Sequence, residues 1–256
     1  MNLHLSGKTK NSKRRQVHVE YNCEVERVLN SDDLDELKPS ELPSTFNQKT
    51  SWPTFVQLSN GKIHGADFVI SATGVRPNSD LKFQEAELLL ADDGGIIVDE
   101  QMRTNTANVY AAGDVCTTSW QPHEHWFQMR LWTQAHQMGV HLANCISQHI
   151  SNEQASLDFC FELFAHVTSF FGYKLILLGR YNAQGLKDNY EILVRYTAEK
   201  EYVKVVLNDG YMVGALLLGE TDLEETFENL ILNHMDLSRF SDSLLDPDVD
   251  IEDFFD

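Results

Sequence analysis

Residues 109 to 115 read VYAAGDV: a hydrophobic run that closes on three small residues, Ala111, Ala112 and Gly113, and then on one carboxylate, Asp114. At the C-terminal edge of a parallel sheet, such an ending leaves the backbone open to close approach by another molecule. A helix starting soon afterwards would offer free N–H groups and a positive dipole end to a pyrophosphate. Asp114 could then accept hydrogen bonds from the hydroxyls of a sugar or ribityl chain. Those features together suit a dinucleotide. The same residues also suit a plain tight strand-to-helix turn with Asp114 as the N-cap, and on these seven residues alone both readings stand.

Other groups capable of chemistry are thinly spread. His123, Glu124 and His125 offer metal-ligand atoms, and His141 and Cys145 sit at the spacing that puts two ligands on one helix face. No second cluster completes a tetrahedral set, so no metal site is expected. Cys116, two residues past Asp114, reads either as a reactive thiol near a helix start or as a small filler of the turn. His234 reads as a boundary residue on a helix face, and Tyr110, Phe170 and Phe171 read as core aromatics.

The elements that must position these residues follow from pattern. Residues 16 to 30 are Val-rich with partial alternation and read as a strand; the polar run from Ser31 to Thr50 reads as a loop or insertion. WPTFVQLSNGKIHGADFVISATG then gives strand, turn at Asn60-Gly61, and strand. Another strand ends at VYAAGD, and a helix is expected from about Phe127 to His149, with Leu131, Ala135, Met138, Leu142 and Cys145 on one apolar face. From about Leu157 several strands follow, among them EYVKVVL and YMVGALLLG, joined by Asn208-Asp209-Gly210. A last helix carries the stripe Leu223, Phe227, Leu230, Ile231, and Thr221 with Glu224 forms a capping-box pattern at its start.

Bulk properties narrow the partners. With 256 residues, 42% of them hydrophobic, the chain can bury a core. A net charge of -19 argues against general nucleic-acid binding, which needs surplus Lys and Arg. No apolar stretch approaches the length of a membrane helix, and no signal-peptide core follows Met1, so no membrane partner is expected. Four widely spaced cysteines without a CxxC pair suit reduced thiols and a cytoplasmic location. Lys8, Lys10, Lys13, Arg14 and Arg15 form a basic start; its SKRRQ stretch reads as a nuclear-entry signal or as an ordinary solvated terminus. The last sixteen residues carry seven acids and no base, with Leu244, Leu245, Ile251, Phe254 and Phe255 among them, and read as a docking segment for a protein partner or as a solubilising tail.

The segment Gly94 to Val115, GGIIVDEQMRTNTANVYAAGDV, resembles the second flavin-binding motif of the FAD-dependent pyridine nucleotide-disulphide oxidoreductases. SATGVRPN, Ser71 to Asn78, resembles the motif with which those enzymes leave the NAD(P) domain and re-enter the FAD domain, and QAHQMGVHLANCI resembles the helix that follows their Gly-Asp. The resemblance implies an α/β chain: part of a two-dinucleotide-binding-domain, Rossmann-like flavoprotein, followed by an α+β C-terminal domain of dimerisation type. Its implied layout is residues 1–75 as part of an NAD(P)-binding-type domain, 76–150 as the C-terminal part of an FAD-binding domain, 151–240 as the α+β domain and 241–256 as the acidic tail. The resemblance gives Asp114 the ribityl chain, lets Gly113 and Ala112 permit close approach, and places Thr73 and Gly74 at the crossing between domains. FAD, with NADPH or NADH, is the implied cofactor set.

The chain also departs from that family. Its fourteen glycines nowhere make the GxGxxG spacing of a phosphate-cradling turn, and the stretch around His234 lacks the family's His-Pro-Thr pattern. The resemblance therefore covers the C-terminal half of a full-length enzyme, and the chain reads as a fragment or a shortened isoform. The implied parent is an NAD(P)H-oxidising FAD enzyme that passes electrons directly from flavin to its acceptor. For the chain by itself a second reading stands beside it: a non-catalytic interaction protein that uses the C-terminal domain and acidic tail. Catalytic residues, electron acceptor, nicotinamide preference and oligomeric state stay open.

Overall fold

A computed structural model of the chain describes residues 17–36, 52–81, 87–120, 123–241, 243–246 and 251. Among these, the residues up to Gly74 and those from Val75 onward form two compact units. The basic start, most of the polar run expected as a loop, and Phe254 and Phe255 lie outside the described residues.

The first unit holds β1 (Val25–Leu29), α1 (Ser31–Glu36), β2 (Thr54–Leu58) and β3 (Ile63–Ala66), with the strands antiparallel in the order β1-β2-β3. The expected turn forms: Gly61 adopts φ +81°, a region that only glycine enters at no steric cost, and Asn60 Oδ1 accepts from the Lys62 amide at 3.1 Å. The loop expected from Ser31 instead opens as α1. Its start is a reciprocal cap in which the Asp33 amide donates to Asn30 Oδ1 at 2.8 Å and the Asn30 amide donates to Asp33 Oδ2 at 3.0 Å. After β3 the apolar run 68–70 continues without a strand partner among the described residues, and Phe68 and Ile70 are exposed.

The second unit begins with a parallel pair, β4 (Ile96–Val98) and β5 (Cys116–Thr118). The strand expected to end at VYAAGD is reduced to a bridge between Tyr110 and Arg103; the paired strand lies after Asp114, because the backbone turns at Gly113 before it re-enters the sheet. The helix expected from Phe127 forms as α2 (Trp132–Ile150), and its buried line is Gln134, Met138, His141 and Cys145. Then come β6 (Ala165–Phe170), β7 (Tyr173–Gly179), β8 (Tyr190–Thr197), β9 (Glu201–Asn208) and β10 (Tyr211–Leu218) in one antiparallel sheet of order β6-β7-β10-β9-β8, followed by α3 (Glu224–Leu232). This is the α+β domain the resemblance implied.

Period-two alternation puts Val203, Val205 and Leu207 of β9 on the face that α3 covers with Phe227, Leu230 and Ile231. Leu244 and Ile251 from the acidic tail are buried in the same core, so part of that tail packs against the domain. Asp209 and Gly210, at φ +51° and +86°, make the two-residue hairpin read from Asn208-Asp209-Gly210. Phe171 and Gly172 do the same between β6 and β7, at φ +49° and +83°. Phe170 and Phe171 are therefore exposed at a hairpin tip and are not core aromatics.

The capping box at Thr221 does not form. α3 is preceded by Leu223, with no side-chain cap, and the Thr221 Oγ1 is buried without a hydrogen-bond partner among the described residues. The first turn is held instead by Lys174 of β7, whose Nζ donates to the Glu224 carboxylate. Thr221→Val should leave stability unchanged or raise it by up to about 1 kcal/mol, because a buried hydroxyl without a partner is replaced by a methyl of the same shape. A working cap would lose about 1 kcal/mol on the same change, and urea unfolding separates the two outcomes.

Candidate functional site

Ala112 is extended, at φ -146° and ψ 158°, and Gly113–Val115 make one tight turn before β5. Gly113 sits at φ +78°, and a Cβ there would lie 3.0 Å from the Ala135 Cβ. The room that Gly113 leaves is thus taken up by the first turn of α2. Helix and turn meet side by side, although β5 and a connecting segment separate them in the chain. Asp114 is not an N-cap of α2: the residue at that position is Leu131, and no side chain caps the helix. The Asp114 carboxylate is exposed and makes no hydrogen bond or ion pair with the described residues.

Three side chains before and within α2 hold this arrangement. Gln134, buried, accepts from the Met129 amide at 2.7 Å and donates to the Phe127 carbonyl at 3.0 Å, fixing the entry to the helix. Gln128 accepts from the Thr118 amide at 3.1 Å and donates to the Cys116 carbonyl at 2.8 Å, which satisfies the open edge of β5. Arg130 donates through Nε to the Asp114 carbonyl at 3.0 Å and through Nη2 to Asp93 Oδ2 at 2.7 Å and Thr117 Oγ1 at 3.1 Å. Partial burial works against ionisation of Asp93. Hydrogen bonds from Arg130, the Gly95 amide and Thr117 outweigh it and hold the carboxyl at about 2. The carbonyl of Asp114 is therefore pinned while its carboxylate stays free.

The other candidates fall elsewhere. Thr73 and Gly74 end the first unit; the Ser71 and Thr73 hydroxyls lie 3.5 Å apart, and Gly74 adopts φ +82° with no atom within 4 Å of where a Cβ would sit. Cys116 is fully buried, and burial pushes its thiol up to about 12, so it fills the turn and is no thiolate nucleophile. Burial and the neighbouring Asp158 carboxylate push Cys160 equally high. His141 Nε2 lies 2.8 Å from the Glu100 carbonyl and 3.4 Å from Cys145 Sγ, and its ring meets Phe161 edge-on, which makes this pair part of the packing under α2. His234 lies beyond the end of α3, at φ +48°, with its Nδ1 4.0 Å from Glu124 Oε1 and with ligand atoms of Glu124 and His125 within 4.8 Å. Nothing in the spacing of the sequence links residues so far apart.

Residues 9–139 match the family model described as pyridine nucleotide-disulphide oxidoreductase, and residues 167–235 match the rubredoxin NAD+ reductase C-terminal domain. The mouse (Mus musculus) protein called pyridine nucleotide-disulfide oxidoreductase domain-containing protein 1 is 51% identical over 247 residues, 94% of this chain and 50% of its own length. Its Danio rerio counterpart is 55% identical over 246 residues, 94% of this chain and 49% of its own length. The chain spans about half the length of these curated relatives. A solved NAD-dependent persulfide reductase from A. fulgidus shares the fold, with a TM-score of 0.56 at 21% identity over 85% of this chain and 38% of that one. Among the described residues no helix is long and apolar enough to cross a membrane.

The pinning of Asp114 through Arg130 and Asp93 has a pH signature. The folded carboxyl of Asp93 sits at about 2, below its usual 3.8, so its stabilisation is fully present above roughly pH 5 and is lost as pH falls through about 2. Asp93 is 43% exposed, and solvent screening reduces the effect to about 1 kcal/mol. Thermal melts of wild type and Asp93→Asn should differ by a constant amount near neutrality and converge between about pH 4 and pH 2. A gap that stays constant down to the acid limit would count against the charge-assisted pair.

Proposed function

The chain belongs to the pyridine nucleotide-disulphide oxidoreductase family, and from that premise we propose that its parent protein is an NAD(P)H-oxidising flavoprotein reductase in which Asp114 holds the ribityl chain of FAD. One observation carries this reading: an exposed carboxylate without a partner among the described residues, on a turn whose backbone is pinned, beside a helix N-terminus that no side chain caps. The donor set fits a flavin dinucleotide at this point. Asp114 accepts hydrogen bonds from ribityl hydroxyls, and the free amides of the first turn of α2 favour the nearby phosphate.

When bound, FAD supplies hydride acceptance from NADH or NADPH and onward electron transfer. The chain's own residues orient it. Arg130 fixes the Asp114 carbonyl, Gln134 fixes the start of α2, and the Gly113–Ala135 contact sets how closely turn and helix approach. Thr73 and Gly74 are assigned to the crossing between the nucleotide domains. Cys116 and Cys160 stay protonated at neutral pH, which favours direct transfer from flavin to acceptor over thiol exchange at these positions. The 256 residues contain no GxGxxG turn to cradle the pyrophosphate, so the chain by itself should hold flavin weakly.

Two measurements test the proposal. The purified 256-residue chain should carry little FAD and oxidise no nicotinamide; yellow protein near one flavin per chain would show that the missing glycine turns are dispensable. In the full-length parent, Asp114→Ala should weaken FAD binding by about one to two orders of magnitude, the value of a charge-assisted hydrogen bond. Asp114→Asn should lose flavin on dialysis and melt at the wild-type temperature, because the carboxylate has no partner among the described residues. An Asn variant that keeps full flavin removes Asp114 from the site and leaves the interaction-protein reading in front.

A further inference from the structure

In the second unit, a cleft of about 220 Å³ opens between the loop before α2 and the end of α3, with Arg180, Asn208, Asp209 and Tyr211 on its walls. Glu124, His125 and His234 face one another there. The Glu124 Oε1 lies 3.3 Å from His125 Nε2 and 4.0 Å from His234 Nδ1, and all three ligand atoms fall within 4.8 Å of one another. A first-row divalent ion with bonds of about 2.1 Å holds tetrahedral ligands about 3.4 Å apart. The Glu124–His125 pair already has that separation, and His234 needs a small movement to reach it.

The surroundings are built for rigid ligands. The Glu124 carbonyl accepts from Arg180 Nε at 3.0 Å and the His125 carbonyl accepts from the Phe164 amide at 3.0 Å, so the backbone of both residues is fixed from outside the cluster. His125 is 2% exposed, and its Nε2, 3.3 Å from the Glu124 carboxylate, is the ring nitrogen turned to the cluster. His234 stacks flat on Tyr211, with ring centroids 4.1 Å apart; its φ of +48° makes it the left-handed residue that ends α3, where the His234 amide donates to the Ile231 carbonyl at 3.2 Å and the Met235 amide to the Leu230 carbonyl at 3.4 Å. Glu124 and Asp209 offer negative charge to a cation, while Arg180 opposes it from the wall.

We propose that Glu124, His125 and His234 bind a divalent cation of the zinc class, with a fourth coordination position open to the cleft. Two imidazoles and one carboxylate select such an ion over calcium or magnesium, which prefer all-oxygen shells. The ion ties the 123–126 loop, which leads into Gln128, Arg130 and α2, to the chain just past α3. It links the base of the Asp114 arrangement to the C-terminal sheet without contributing to it chemically.

The test titrates chelator-treated 256-residue chain with Zn2+ by calorimetry and follows Co2+ substitution by its visible spectrum. One Zn2+ per chain is expected, with a tetrahedral-type Co2+ spectrum and a higher melting temperature on binding. Glu124→Gln keeps the side-chain shape, and His234→Asn keeps a residue that tolerates positive φ, so both should fold. Each should bind Zn2+ at least about tenfold more weakly, since losing a ligand costs no less than losing a group that only orients one. His149→Asn, at the exposed end of α2, should bind as wild type does. Absence of Zn2+ binding by the wild-type chain, or equal affinity in wild type and His234→Asn, overturns the proposal.

Discussion

The candidate site depends on a single close contact, the approach of Gly113 to Ala135 of α2. A side chain at Gly113 would need a positive φ that branched residues resist, and its Cβ would stand 3.0 Å from another Cβ, tighter than nearly all such contacts. Both requirements point to glycine for reasons internal to the fold. Because turn and helix touch there, the carboxylate of the next residue, Asp114, stands beside the helix N-terminus without being its cap.

The polar groups around that contact divide the work between backbone and side chain. Gln128 and Gln134 spend both ends of their amides on main-chain groups, so the connection into α2 is satisfied although it has no regular secondary structure. Arg130 is only 17% exposed and has three acceptors, whereas its partner Asp93 is far more open to water. The geometric role of this pair therefore outweighs its Coulomb energy, which solvent screens. What it secures is the direction of the Asp114 backbone.

The C-terminal domain follows a different logic. Its stability comes from apolar burial between the five-stranded sheet and α3, helped by Leu244 and Ile251 from a stretch that is otherwise densely acidic. Buried apolar residues embedded in an acidic segment explain how a tail with seven carboxylates can still be anchored. The end of α3 also brings His234 back over the loop that carries Glu124 and His125, so the same helix that closes the core closes the cleft.

Much of this was legible in the sequence, and the reason is range. The Asn60-Gly61 and Asn208-Asp209-Gly210 turns, the strands on either side of them, the α2 region and the apolar stripe of α3 are set by neighbours within a few residues, through positive φ, period-two alternation and 3.6-residue spacing. Even the misread Ser31 stretch carried its local signal, the reciprocal Asn30–Asp33 cap. The AAGD ending could be recognised as a place where something approaches closely, but its seven residues could not tell whether Asp114 caps a helix. That depended on where α2 begins and on Arg130 and Gln134, which are distant in the chain. Thr221 had the spacing of a cap and lost the role to Leu223 and Lys174; Phe171 had the composition of a core residue and went to a hairpin tip; His234 met Glu124 and His125 only because α3 folds back across the sheet. Local preference sets backbone conformation within a few residues, whereas the partner of a polar side chain is decided by which surfaces the whole chain brings together in packing its core.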